Sequence, residues 1–122
     1  MNVVVVHMTV GGAVVVLNWL AGLWGLLVWR RRMVVKPLLQ QTIALSHTVV
    51  LAQAVLGLLL LAGNHRAPMQ LHYVYGLLPV GAVLFGYSAR TDDARRNLLV
   101  FSVIGVVIGG LAVRAFMTGK GT

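Results

Sequence analysis

MNVVVVHMTVGGAVVVLNWLAGLWGLLVW, residues 1–29, contains no Asp, Glu, Lys or Arg, and Arg30, Arg31 and Arg32 follow it at once. About 20 apolar residues carry a helix across the hydrocarbon core of a bilayer, so this stretch is long enough to span. Three more runs free of those residues, 37–65, 67–89 and 97–113, repeat the pattern. The last run is short, but Arg114 can snorkel to the headgroups and let the span reach Met117. The expected spans are about 3–29, 38–62, 69–89 and 97–117, in a single domain over 1–122.

Composition leads to the same class. Apolar residues make up 59% of the 122 and charged residues 10%, against about 25% charged in a soluble domain. So few charges cannot cover a water-facing surface, which leaves lipid as the solvent. Continuous apolar runs favour helices over the short alternating strands of a membrane barrel. A helix also pairs its own backbone polar groups, as the bilayer core requires. The fold class is therefore all-α, an integral membrane four-helix bundle. Its short loops make successive helices antiparallel neighbours in an up-down arrangement.

The formal net charge is +8. In a soluble domain that excess would suggest nucleic acid. Here the cations flank hydrophobic runs, the usual mark of membrane orientation, so no nucleic-acid partner is expected. Arg30, Arg31, Arg32, Lys36, Arg90, Arg95 and Arg96 fall at one end of the bundle, against Arg66, Arg114 and Lys120 at the other. The positive-inside rule then puts both termini on the outer side of a prokaryotic cytoplasmic membrane. Trp29 and Tyr87 would mark the inner interface, Tyr73 and Phe116 the outer one. Met1 to Val6 carries no Lys or Arg, so the first span reads as retained rather than as a cleavable signal. There is no cysteine, which excludes disulfides, thiolate metal sites and iron–sulfur clusters.

Polar groups within spans need a reason to be there. The only acids, Asp92 and Asp93, lie in a loop. No carboxylate lies in any span, which argues against proton-coupled multidrug transport and against a relay of acidic side chains. The histidines are more informative. His7 opens the first span and His72 the third, at similar depth near the outer face, on helices that are diagonal in an up-down bundle. Two imidazoles meeting across the interior are what a six-coordinate haem iron requires. Each histidine also begins an H-x-x-x-G pattern, ending at Gly11 and Gly76. Positions four apart share a helix face, so each glycine would clear a flat porphyrin below its ligand. The His7 stripe continues through Val14, Asn18, Ala21, Gly22 and Gly25, and the His72 stripe through Pro79, Val83 and Gly86. The pattern reads as a weak internal repeat of helices 1–2 and 3–4. The same glycines also suit plain helix packing, and a histidine near a helix end also suits a wet interface.

Four further residues belong to this reading. Arg66 and His65, in the outer loop above the pocket, could pair with haem propionates, or form an ordinary polar turn. Asn18 lines the His7 stripe and is level with His47. An Asn18–His47 hydrogen bond is the simplest account of both. Span 4 has no histidine to face His47, so the alternatives for it are a quinone contact or a single axial ligand. Its face is expected to run through Gln40, Ala44, Leu51, Ala54 and Leu58. In the fourth span, Ser102, Gly105, Gly109 and Ala112 form a small-residue packing stripe, against the bundle or a partner chain.

The segment Leu51-Ala52-Gln53-Ala54-Val55-Leu56-Gly57, with His72 opening the next helix, resembles a four-helix half of the haem A synthase family. That resemblance implies axial histidines near the outer ends of two diagonal helices. The chain departs from the family in having four spans rather than eight. Val4 and Met8 stand where a Glu-x-x-His-Arg motif around His7 would have its acid and its arginine. The resemblance therefore implies a haem b bundle and not the oxidising enzyme. The expected function is electron transfer as a small b-type cytochrome, rather than enzymatic activity by itself. It would act with other membrane subunits or as a homo-oligomer, within a respiratory or photosynthetic complex. The rival expectation is a cofactor-free accessory or assembly subunit.

Overall fold

Capping chemistry and proline set where each helix begins. In the computed structural model, which describes residues 2–119, α1 spans Val3–Arg30, α2 Pro37–Ala62, α3 Leu71–Ser88 and α4 Ala94–Gly119. Lys120, counted above among the cations of the outer end, lies outside the described residues. Asn2 caps α1, its side-chain oxygen accepting the Val4 N–H at 2.9 Å. Pro37 begins α2, where its missing N–H costs nothing. α3 begins two residues later than expected. Pro68 disfavours helix at Ala67, and the Ala67 N–H is drawn off to the Tyr73 hydroxyl at 2.9 Å. α4 begins three residues earlier than expected, because Asp93 Oδ1 accepts the N–H groups of Arg95 and Arg96 at 3.0 and 3.2 Å. Charged residues bar a helix from lipid, but not from its own first turn outside it.

All four helices are long and apolar enough to cross a membrane, and among the described residues there is no strand. α1 packs against α2 and α4, and α3 packs against α4 and more loosely against α2. α1 and α3 are the diagonal pair, as an up-down bundle requires. The start of α1, the start of α3 and the end of α4 meet at one end. Large apolar side chains such as Leu23, Val55, Leu84 and Phe85 point outward, a surface that lipid tolerates and water does not.

The tightest seam is α1 with α4. A Cβ on Gly22 would stand 2.7 Å from the Ser102 carbonyl oxygen, and one on Gly105 would stand 2.8 Å from that of Asn18. A Cβ on Gly25 would overlap the Ser102 hydroxyl, and one on Gly109 the Trp19 indole. That indole donates to the Val106 carbonyl at 3.1 Å. Apolar surface does not drive helices together in lipid, so close backbone contact of this kind carries the association. The mid-bundle core is Val14, Val50, Val83, Ile104 and Ile108, and Val28, Leu39 and Leu98 close the arginine-rich end.

The expected stripes of α1 and α3 are the buried ones: Val14, Asn18, Ala21, Gly22 and Gly25, and Pro79, Val83 and Gly86. In α4, Ser102, Gly105 and Gly109 are buried too. The α2 stripe needs correction. Its buried side chains are Leu39, Ser46, His47 and Val50, whereas Gln40, Ala44, Leu51 and Leu58 face outward.

Candidate functional site

α1 and α3 are too far apart for their backbones to touch, yet one side chain from each bridges the gap. The rings of His7 and His72 lie 6.2 Å apart between centroids, at 79° to each other. His72 is firmly oriented. Its Nδ1 donates to the Ala115 carbonyl of α4 at 2.7 Å, which leaves Nε2 as the free lone pair. The ring is also edge-on to Tyr73, at 6.0 Å.

The glycines that frame the pair differ from those expected. Gly57 of α2 faces His7, where a Cβ would stand 3.4 Å from its Cε1. Gly119 faces His72, where a Cβ would stand 2.9 Å from its Cε1 and Nδ1. Gly76 is exposed, with nothing within 4 Å of a Cβ position. Gly11 does not open onto free space. The Gln53 carboxamide fills it, with Nε2 2.9 Å from a Cβ position there. Gln53 is also the polar neighbour of His7, a role that sequence reasoning missed. The sequence marks it as a polar residue within a span but gives it no role, and its i, i+4 spacing from Gly57 is the usable signal.

Two buried polar atoms at this site lack a partner: His7 Nδ1 and Gln53 Oε1. Such orphans are uncommon and call for an explanation. A His7 that coordinates through Nε2 carries a proton on Nδ1, and Gln53 Oε1 is an acceptor within the same cluster. A metal-bound histidine usually donates its second N–H in this way.

Among the described residues, no three or more His, Cys, Asp or Glu side chains gather to hold a bare ion, and a tetrahedral zinc site needs at least three such ligands. Two opposed imidazoles instead suit a metal that brings its own equatorial ligands. With metal–nitrogen bonds of about 2 Å on each side, two axial imidazole rings stand roughly 6 Å apart. The observed 6.2 Å between centroids is of that size. Two imidazoles at this spacing are a donor set compatible with a haem.

The other expected site residues are not part of this cluster. His65 and Arg66 are exposed in the loop at the same end. Asn18 lies about 16 Å further along α1 by helix rise. It is fully buried, and its Nδ2 donates to the carbonyls of Val14 and Ser46 at 2.9 and 3.3 Å. The Asn18–His47 bond does not form. His47 Nδ1 instead meets the Tyr87 hydroxyl at 2.9 Å, and its ring packs at 5.3 Å from both Tyr87 and Phe101. Tyr87, expected only as an interface anchor, reaches up from the end of α3 to tie α2 to α3. Comparison of the chain with known protein families, characterised proteins and solved structures returns no match.

Proposed function

We propose that this chain is a b-type cytochrome that holds one haem b between His7 and His72 and passes electrons within the membrane. The observation that carries the reading is the imidazole pair 6.2 Å apart on two helices that otherwise do not meet. Bound there, the haem would supply one-electron redox chemistry. His7 and His72 would hold it. The Ala115 carbonyl fixes the tautomer and direction of His72, and Gln53 stands ready to do the same for His7. Arg66, exposed at this end, is a cation available to propionates, and the exposed His65 beside it can add a hydrogen bond. The seven-to-three split of cations supports a reading in which this end faces outward from a prokaryotic cytoplasmic membrane. Electron transfer through so small a chain fits a subunit of a larger respiratory or photosynthetic complex. A quinone is the membrane-soluble donor or acceptor suited to it.

The test is the absorption spectrum of protein purified from haem-replete cells. A Soret band that shifts on reduction is expected, with the low-spin features of two axial imidazoles. His7→Ala and His72→Ala should each abolish six-coordination, and His47→Ala should leave it intact. A colourless preparation with every histidine in place would defeat the proposal and leave the cofactor-free accessory subunit as the reading.

A further inference from the structure

At the opposite end of the bundle, α1 ends in a turn whose backbone suits a different residue. The Met33 N–H reaches back to the Val28 carbonyl at 3.0 Å and the Arg32 N–H to that of Trp29 at 3.3 Å. That double closure places Arg32 in the left-handed region, at φ 52°. Helices ending this way usually put glycine there, sometimes asparagine. The same closure after α2 does use an asparagine, Asn64, at φ 65°. An arginine held against backbone preference suggests a task for its side chain.

Arg32 lines a cavity of about 200 Å³ between the end of α1 and the start of α4, with Arg95 also in its wall. The remaining lining is Val28, Met33, Val35, Ala94 and Leu98. The Arg95 guanidinium lies over the Trp29 ring, 4.8 Å from its centroid, so its direction is set. A second cavity of about 120 Å³ shares Val28 and Met33 with the first and adds Lys36. Asp93 is taken up in capping α4, and Arg96 donates to the Ala89 carbonyl at 2.7 Å. Asp92, Arg30 and Arg31 are exposed nearby.

We propose that this cavity binds the phosphodiester headgroup of an anionic phospholipid, with Arg32 and Arg95 on the phosphate and the apolar wall against the glycerol and upper acyl chain. Guanidinium matches phosphate oxygens in a bidentate fork. Basic clusters just beyond membrane helices attract anionic lipid at about 1 kcal/mol per cation. A cavity lined by two arginines and five apolar residues, at the end of a membrane helix, has lipid as its nearest source of phosphate.

Phosphatidylglycerol and phosphatidylcholine, each titrated into the detergent-purified protein and counted by native mass spectrometry, test this. Phosphatidylglycerol should bind at about one per chain and at least tenfold more tightly than phosphatidylcholine. Arg32→Gly and Arg95→Gln should each weaken it about fivefold or more. Arg32→Gly relieves the backbone, so without lipid it should melt no lower than the parent. Arg66→Gln, at the far end, should leave the affinity unchanged. Equal binding of the two lipids, or full affinity in both Arg32→Gly and Arg95→Gln, would overturn the proposal. So would an equal loss in Arg66→Gln, or displacement of phosphatidylglycerol by comparable concentrations of inorganic phosphate.

Discussion

The hydroxyl of Tyr87 shows how one polar contact ties two helices in a low-dielectric interior. His47 is 5% exposed, and Tyr87 is its only hydrogen-bond partner among the described residues. Interhelical hydrogen bonds in membrane proteins contribute about 0.6 kcal/mol on average, and leaving a buried group unpaired adds to the loss. Tyr87→Phe keeps the ring against His47 and Phe101 and removes only the hydroxyl. It should lower stability by about 1 kcal/mol, read from unfolding in mixed detergent, without changing any haem spectrum. A spectral change would mean that His47 serves the cofactor after all. The depth of these residues was legible in the sequence by counting along each span, which is how His7 and His72 were matched. Lateral partners were not legible. Asn18 and His47 are level, yet Asn18 turns to the Ser46 carbonyl, because the rotation of α2 decides which neighbour it meets.

That rotation explains which elements could be read. In α1 and α4, glycine, alanine, serine and asparagine recur at helical spacing among bulky residues, and that contrast marks the packed face, whereas in α3 Gly86 is buried but Gly76 and Gly81 face outward. α2 from Ile43 to Leu61 mixes Leu, Ala and Val on every side, so period alone could not tell its inner face from its outer one. Close packing also makes the stripes testable. A methyl at Gly105 meets the backbone of α1, which cannot swing aside as a side chain can. Gly12 has nothing within 4 Å of its Cβ position. Gly105→Ala should therefore cost about 1–3 kcal/mol by overpacking. Gly12→Ala should be neutral, or stabilising by up to about 1 kcal/mol through helix propensity. Thermal melts of the two variants in one detergent compare them directly. If both behave alike, the α1–α4 contact is not the close one described.

For the whole molecule, the bundle's two ends differ in chemistry, and that difference predicts a membrane direction. One end carries Arg30, Arg31, Arg32, Lys36, Arg90, Arg95 and Arg96, close to helix termini and within short loops. Short loops are where the cation bias controls insertion. The other end holds the histidine pair and only Arg66 and Arg114 among the described cations. Because each helix reverses the last, one orientation decision fixes all four, and α1 with its triple arginine has the strongest vote. Alkaline phosphatase fused after residue 119 should thus be active, as should a fusion within 63–70. Fusions within 31–36 or 89–93 should be inactive. Replacing Arg30, Arg31 and Arg32 by glutamine reduces the split from seven-to-three to four-to-three, and should yield a mixed population with activity at both sets of sites. An active fusion at 31–36 in the unaltered chain would invert the bundle and put the histidine pair on the cytoplasmic side. The 6.2 Å geometry would be unchanged, but a haem bound as proposed would then exchange electrons with the other face of the membrane.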